Sequence, residues 1–322
     1  MTARGYLPIL LVTALLAFAP AVIHSNSVAN FLVLTLIITL AAQGWNLLGG
    51  VAGQTSFGHA VFFGTGCYTT AILQYHFDVN AWVALVAAIA AGAAVGFVIG
   101  FLSFRAGLRG SYFALITLAF AELARILANA SELTGGAAGL LLKLEPSFWN
   151  MQFADRSYFL WLVLAFVFAG LVISRSIANS RFGAQLVAVR ENEDAARALG
   201  VDVLKVKLRA ISLSGAMTAA AGVLYMQNFL YVDATIAFGI WISIEALLAP
   251  MVGGRGLVLG PLVGAFTLHG LGEFTKEFAG RVPGVDLIVF AIVLILVVAF
   301  ASGGILGLIR RVLPRSLKGA AS

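Results

Sequence analysis

Long apolar runs, separated by short polar connectors, extend over nearly the whole chain. A helix needs about 20 apolar residues to cross the hydrocarbon core of a bilayer. By that measure the pattern predicts ten membrane-spanning helices, at residues 6–23, 31–48, 57–75, 81–104, 112–128, 158–174, 210–230, 238–252, 257–272 and 284–300. The run at 238–252 is short enough that a re-entrant segment is an alternative. Because the runs are continuous and do not alternate, a β-barrel is disfavoured, and the predicted fold class is all-α, a polytopic helical membrane protein.

Composition supports this fold class and excludes several kinds of partner. Hydrophobic residues make up 61% of the 322 residues and charged residues 11%, with a mean hydropathy of +1.00. Such a chain must place apolar surface against lipid, so the bilayer is its first partner. The net charge of +6 lies in the connectors, where it indicates topology and no nucleic-acid binding. Cys67 is the single cysteine and lies in an apolar run, so we predict neither a disulfide nor a cysteine-based metal site.

The longest stretch that cannot lie in lipid is residues 174–209. Its basic residues are Arg175, Arg181, Arg190, Arg197, Lys205, Lys207 and Arg209, and its acidic residues are Glu191, Glu193, Asp194 and Asp202. It divides the chain into an N-terminal anchor span (1–30), a first half of the bundle (31–173), this connector (174–209), a second half (210–308) and a basic tail (309–322). By the positive-inside rule the connector and both termini are predicted to be cytoplasmic. A cleavable signal is the alternative for the first span, but the closely following second span favours a retained anchor.

Two Gly-rich interruptions lie in opposite halves of the chain, near residues 49–58 and 253–260. Broken helical backbone survives at membrane depth only where it lines a cavity or meets protein. The first interruption is therefore a candidate wall for a polar solute, and an ordinary tight turn at the membrane surface is an equal alternative. The candidate pathway residues, here and at the start of the fifth span, are Gly53, Gln54, Thr55, Ser56, Gly58, His59, Tyr112 and Thr117.

Ionisable residues inside the predicted spans are few. Glu122 and Arg125 stand three apart and can share a helix face, as a functional site or as a structural pair, and Glu245 stands alone in the eighth span. None of the four histidines has a partner at metal-ligand spacing, and the sequence contains no nucleophile elbow and no phosphate-binding loop. We therefore predict no catalytic residue, no metal, no cofactor and no ATP hydrolysis by this chain itself.

Within the connector, residues 185–199 form an amphipathic pattern. Leu186, Val189, Ala196 and Leu199 are predicted to lie on one apolar stripe, and Glu193 stands four residues before Arg197 in the favourable order for an ion pair. Gly200 is a natural helix stop, and Asp202 can cap the helix that follows. The stripe suits a helix that docks into a partner's groove, with a solvated connector as the alternative.

At these residues the chain resembles the integral-membrane subunits of branched-chain amino-acid ABC importers, of the LivM type. The resemblance covers about residues 40–300. It rests on a series of short motifs in a fixed order: Asn46-Leu47-x-Gly49, Gly53-Gln54-x-Ser56-x-Gly58-His59, Leu108-Arg109-Gly110-x-Tyr112-Phe113-Ala114, Thr117-Leu118-Ala119-Phe120, Thr134-Gly135-Gly136, Arg181-Phe182-Gly183, Arg190-Glu191-Asn192-Glu193-Asp194-Ala195-Ala196-x-x-x-Gly200, Gly253-Gly254-Arg255-Gly256 and Leu259-Gly260-Pro261.

The resemblance implies a permease that pairs with a homologous permease subunit and two cytoplasmic ATPase subunits in the bacterial inner membrane. A periplasmic substrate-binding protein would deliver the solute. The ATPase-coupling helix would consist of Arg190, Glu191, Asn192, Glu193, Asp194, Ala195, Ala196 and Gly200. The alternatives are a secondary transporter working without an ATPase and, less favoured, a membrane-embedded enzyme. No residue selects among branched-chain amino acids, urea, amides and other carboxylates as the solute.

Overall fold

Helices account for nearly all of the regular structure. The computed structural model describes residues 6–22, 25–278, 288–289, 291–292, 295 and 303–312. The helices are α1 (Leu7–Ala17), α2 (Ala19–Val22), α3 (Asn26–Trp45), α4 (His59–Phe77), α5 (Ala81–Arg105), α6 (Gly110–Ala130), α7 (Arg156–Ala178), α8 (Arg181–Glu191), α9 (Glu193–Ala198), α10 (Val203–Phe229), α11 (Ala234–Ala237), α12 (Ile240–Gly253), α13 (Gly260–Phe278) and α14 (Gly304–Val312). A π-helical turn, Asn46–Val51, extends α3.

The helices fall where the apolar runs predict them, and the all-α class is confirmed. Six helices of the described chain are long and apolar enough to cross a membrane: Asn26–Val51, Ala81–Arg105, Gly110–Ala130, Arg156–Ala178, Val203–Phe229 and Ala234–Gly253. The predicted spans 57–75 and 257–272 correspond to α4 and α13, and the first predicted span is divided between α1 and α2. The predicted span 284–300 falls almost entirely among residues that the structure does not describe.

Helices α3 and α10 form the centre of the bundle. In the most apolar part of each, 89% and 72% of the residues are buried, compared with 28% for α6. Gly92 and Gly96 of α5 face α10, and a Cβ atom at Gly96 would lie 2.7 Å from the carbonyl oxygen of Ile211. The glycine face of α5 therefore packs within the subunit, where small residues let helix backbones approach closely.

A short antiparallel ladder closes the end of the bundle away from the charged connector. Strand β1 (Leu140–Leu141) pairs with β2 (Tyr231–Val232), with Leu140 opposite Val232. Gly139 precedes β1 with a φ of 72°, and a Cβ atom there would lie 2.3 Å from the carbonyl oxygen of Val232. The ladder joins the loop after α6 to the end of α10.

The charged connector is shorter than the predicted 174–209, because helices extend into it from both sides. Helix α7 continues to Ala178 and α10 begins at Val203. Between them, residues 180–202 are called the polar hairpin below, and they contain α8 and α9. The residues 46–58 and 253–260 are called the first and second glycine breaks.

Candidate functional site

Three side-chain caps and one glycine shape the polar hairpin. Ser180 Oγ accepts a hydrogen bond from the backbone N–H of Gly183 at the start of α8. Asn192 Oδ1 accepts from the backbone N–H groups of Asp194 and Ala195, each at 3.0 Å, and so ends α8 and starts α9. Gly200, with a φ of 84°, terminates α9, as predicted.

The start of α10 is also capped as the sequence predicts. Asp202 Oδ1 accepts from the backbone N–H of Lys205 at 3.1 Å. The Lys205 ammonium and the Lys205 backbone N–H both donate hydrogen bonds to the Asp202 carboxyl, and these bonds lower its pKa. Both turns of the hairpin are therefore fixed by local chemistry.

The apolar stripe predicted for docking faces the chain's own bundle. Leu186, Val189 and Ala196 are buried, with 0%, 1% and 3% of their surface exposed. Leu199, predicted on the same stripe, is 84% exposed at the turn after α9. The prediction of one continuous docking stripe is wrong, because the turn at Asn192 reorients α9 and the bundle needs the first three side chains for its own packing.

Arg190 connects the polar hairpin to the end of the central helix α3. Its Nη1 donates to the carbonyl oxygen of Gly50 at 3.2 Å, and its Nη2 donates to Glu191 Oε1 at 2.7 Å. The π-helical turn ends here, so the Gly50 carbonyl lies among those without a following helical N–H group. Gly53, at a φ of 73°, leaves room for the Arg190 stem, which lies 2.4 Å from where a Cβ atom would be. Arg190 thus caps the C-terminal end of α3, where a cation is favoured.

The second glycine break supplies another cap to the same helix end. Arg255 donates from Nε and Nη2 to the carbonyl oxygen of Gly49, at 3.0 and 2.6 Å. Asn46 accepts from the backbone N–H of Gly256 at 2.8 Å and donates to the carbonyl oxygen of Leu257 at 3.0 Å. Burial and the neighbouring Arg190 guanidinium lower the pKa of Arg255. The polar hairpin and both glycine breaks therefore meet at one point.

A second ionic contact holds α9. Glu193 accepts from Arg109 Nε at 3.1 Å and also pairs with Lys207. The Lys207 ammonium lies 5.2 Å from the centre of the Phe104 ring, beside α5. The predicted Glu193–Arg197 pair is wrong, because Glu193 points inward to these two cations. Arg197 instead pairs with Asp194 at 3.1 Å on the outer surface.

The remaining coupling residues divide between the two faces of the polar hairpin. Ala196 packs inward, whereas Glu191, Asp194 and Ala195 are exposed. Val187, 40% exposed, and Leu199 add apolar surface to the outer face. The outer face therefore consists of charged residues and two exposed apolar side chains, and the inner face packs against the bundle.

Within the first glycine break, a buried hydrogen-bond chain holds the start of α4. Ser214 Oγ donates its single proton to the carbonyl oxygen of Gly44 at 2.7 Å, so His59 Nε2, 2.8 Å away, must donate to Ser214 Oγ. His59 Nδ1 then accepts from Ser56 Oγ at 3.1 Å. His59 is fully buried and neutral in this arrangement, which gives Ser56 and His59 a structural role.

The same break is joined to α6. The backbone N–H of Phe57 donates to Thr117 Oγ1 at 3.1 Å, and Thr117 Oγ1 donates to the carbonyl oxygen of Ala114 at 2.8 Å. A Cβ atom at Gly58 would lie 1.9 Å from the carbonyl oxygen of Thr117, so only glycine fits this contact. The first glycine break and α6 are therefore in direct contact at Phe57, Gly58 and Thr117.

The eight predicted pathway residues do not share one surface. Five of them are buried: Gln54, Ser56, Gly58, His59 and Thr117. Gly53 and Thr55 are half-buried, and Tyr112 is 74% exposed on α6. Only the last three have surface that a solute outside this subunit could contact.

Tyr112 begins an outward stripe along α6. The stripe continues through Leu115, Ala119, Glu122 and Ile126, all exposed. Glu122 forms a two-point ion pair with Arg125, at 2.5 and 2.9 Å, as its spacing predicts. An ion pair on the outer surface of a membrane span is costly in hydrocarbon, which points to a covering protein or to water at this face.

Sequence reasoning did not assign the partners that position the polar hairpin. Arg109 and Arg255 lie inside the family motifs and Lys207 lies in the charged connector, and no local pattern in the sequence indicates their partners. Asn46 stands next to the glycines, and a polar residue at a helix break is the one signal that could have indicated its bridging role.

Comparisons with known proteins identify relatives along most of the chain. A family model described as the branched-chain amino acid transport system permease component matches residues 27–298. The chain is 30% identical over 295 residues to the high-affinity branched-chain amino acid transport system permease protein LivM of Escherichia coli K12, covering 84% of this chain and 69% of that protein. It is 24% identical over 235 residues to a probable LivM of Methanocaldococcus jannaschii, covering 69% and 68%. It is 26% identical over 289 residues to LivH of Escherichia coli K12, covering 83% and 90%.

Proposed function

This chain belongs to the family of branched-chain amino acid transport permease components, and we propose that it forms one half of the membrane pathway of an ATP-driven importer. It is a multi-pass membrane protein whose role in the importer is that of permease. Its partners in the proposal are a homologous permease, two cytoplasmic ATPase subunits that hydrolyse the ATP, and a periplasmic substrate-binding protein. The proposed location is the bacterial inner membrane, with ten spans and both termini in the cytoplasm.

The polar hairpin is proposed as the element that the ATPase moves. The observation that carries this proposal is the Arg190 bond to the carbonyl oxygen of Gly50, because it ties the hairpin to the end of the most buried helix. The docking surface is the outer face, with Val187, Asp194, Arg197 and Leu199. A partner's groove that takes Leu199 and matches the charges around it would hold this face.

Motion of the polar hairpin would reach the pathway through the glycine breaks. Arg190 and Arg255 cap the same helix end, and the first glycine break is bonded onward to α6 at Thr117. A rigid shift of the hairpin would therefore displace the end of α3 and the wall of α6 together. This geometry suits alternating access by rigid-body movement, since packed helices shift between discrete arrangements.

The outward stripe on α6 is proposed as this subunit's share of the pathway wall. It combines the Tyr112 hydroxyl, apolar side chains and the Glu122–Arg125 pair, which suits an amphipathic zwitterion such as a branched-chain amino acid. Gly53 and Thr55 belong to the first glycine break, which is bonded to α6 through Phe57 and Thr117. The buried residues Ser56, His59 and Thr117 support the wall from behind and do not contact the solute.

The test is the purified importer carrying Arg190→Ala, assayed for ATP hydrolysis and for uptake of radiolabelled leucine into proteoliposomes. A hydrogen bond to a charged group contributes about 1.5–3 kcal/mol, so we expect uptake per ATP hydrolysed to fall about tenfold or more. The matched control is Arg105→Ala, whose guanidinium lies over the Phe101 ring of α5. Uptake per ATP that stays at the wild-type value in Arg190→Ala would refute the coupling role.

Co-purification separates this proposal from a secondary transporter. An affinity-tagged chain expressed with its neighbouring genes should retain an ATPase subunit after detergent extraction, and Leu199→Asp should release it. Uptake driven by an ion gradient, with no ATPase retained, would favour the secondary transporter.

A further inference from the structure

A small cavity between α3, α12 and α13 contains two ionisable side chains that the proposed mechanism does not use. Its volume is about 110 Å³, and Ile38, Trp241, Leu248 and Leu268 supply much of its apolar wall. Glu245 of α12 and His269 of α13 are its polar members, with 27% and 11% of their side chains exposed. Ionisable groups inside a helical bundle indicate function or a specific partner, because burying them is costly.

Hydrogen bonding fixes which nitrogen of His269 carries a proton. Thr35 Oγ1 donates its single proton to the carbonyl oxygen of Phe31 at 2.7 Å. His269 Nδ1 lies 3.0 Å from the same Thr35 oxygen. Since that oxygen has no second proton to give, Nδ1 must be the donor, and in a neutral ring Nε2 is then a bare acceptor.

That nitrogen faces a carboxylate. His269 Nε2 lies 3.5 Å from Glu245 Oε2, and both atoms are buried without a hydrogen-bond partner among the described residues. A bare nitrogen and an ionised carboxylate are both acceptors and repel each other. One proton between them removes the repulsion and makes the pair neutral overall, which an apolar cavity favours.

Among the residues that the structure describes, two other ionisable side chains lie on the helices near the pair. On α13, Glu273 stands one turn beyond His269, and on α10 the Tyr225 ring lies 6.4 Å from the ring of Trp241. Helix α3 faces the pair with Thr35 and the Phe31 ring, and α12 adds no further charge between Ile240 and Gly253. Among the described side chains around the pair, neither Glu273 nor Tyr225 supplies a positive charge that would offset the Glu245 carboxylate.

We propose that Glu245 and His269 form a proton-binding site inside the bundle, holding one shared proton between Glu245 Oε2 and His269 Nε2. The two helices that carry the pair are joined by the second glycine break, which contains Arg255. Gain or loss of the proton therefore changes the packing of the helices next to the cap on α3.

The test is solid-state NMR of the ¹⁵N-histidine-labelled importer in lipid nanodiscs, titrated from acid to alkaline pH. The His269 signals are assigned by their loss in His269→Gln. We expect His269 Nδ1 to keep its proton throughout, and Nε2 to move from a protonated or strongly hydrogen-bonded position to a bare one as the pH rises. In Glu245→Gln the side-chain amide can donate to Nε2, so that signal should stop responding to pH in the range where the wild-type pair titrates.

Glu122→Gln is the matched control, since it removes another carboxylate from a span and should leave the His269 titration unchanged. A wild-type Nε2 signal that is bare at every pH, or that titrates alike in wild type and Glu245→Gln, overturns the proposal. A wild-type Nε2 that is bare at every pH overturns the proposal even if Glu245→Gln does not assemble. Because the signals report on the ring itself, the result does not depend on whether the importer function is correct.

Discussion

Two acid–base clusters of this protein use similar residues in different ways. At the inner face of the polar hairpin, Glu193 binds Arg109 and Lys207, and the side chains of Glu193 and Lys207 are only 13% and 4% exposed. On the outward stripe of α6, Glu122 and Arg125 pair within one helix and are 53% and 34% exposed. The first cluster joins α9 to α10 and to the loop before α6, whereas within the described part of the chain the second pairs only residues of one helical turn.

The difference shows which kind of charge pair can hold one element of the fold in place relative to others. A buried pair is held by several elements at once, and removing one partner leaves an uncompensated buried charge. An exposed pair three residues apart gains little free energy, because water and side-chain freedom compete with it. The hairpin cluster is thus suited to fix the position of a moving element, while the α6 pair provides polarity at a surface.

Among the substitutions that test this comparison, loss of the Lys207 ammonium should destabilise the protein most. Lys207→Met removes one of the two cations on Glu193, and we expect a destabilisation of about 3 kcal/mol, as for breaking a buried ion pair. Thermal unfolding of the detergent-solubilised protein, followed by circular dichroism, measures it. The double variant Glu193→Gln with Lys207→Met should recover part of the loss, and a double variant as unstable as the sum of the singles would contradict the pairing.

The cap formed by Arg255 should matter less for stability and more for transport. Arg255→Gln removes the charge from the Gly49 carbonyl but leaves an amide donor, so we expect a loss of about 1–2 kcal/mol. Leucine uptake per ATP hydrolysed should fall in the same direction as in Arg190→Ala. Wild-type coupling in this variant would show that the second glycine break does not take part in transmission.

The α6 pair should show the smallest effect on folding. Glu122→Gln is expected to leave the midpoint of thermal unfolding close to that of the wild type, because the pair is exposed. The larger effect should be on the importer's affinity for the solute, since the stripe is the proposed pathway wall. A large destabilisation would contradict a solvent-exposed pair and would indicate that the pair lies in lipid or against a covering protein.

Helix positions were predictable because they follow from local properties. A run of apolar residues long enough to cross a bilayer is expected to be helical, and the position of the run gives the position of the helix. Helix α5, for example, begins at residue 81, as the predicted span does. The caps at Asp202 and Gly200 involve neighbours in sequence and were also foreseen.

The partners of the hairpin were not predictable by the same reasoning. Glu193 has a favourable local partner in Arg197, and its actual partners, Arg109 and Lys207, stand in other elements. Leu186, Val189 and Ala196 form the apolar side of an amphipathic segment. Periodicity alone does not show whether that side packs against the chain's own bundle or against another subunit.

The sequence by itself therefore determined that this is a helical membrane protein, where most of its helices lie, and that a charged hairpin interrupts them. It could do so because hydrophobicity, helix caps and glycine act over a few residues. Only the tertiary structure decided that the hairpin turns its apolar side inward and that Arg190 and Arg255 cap the end of α3. Those contacts join segments from distant parts of the chain, and their free energy exists only once the bundle has brought the segments together.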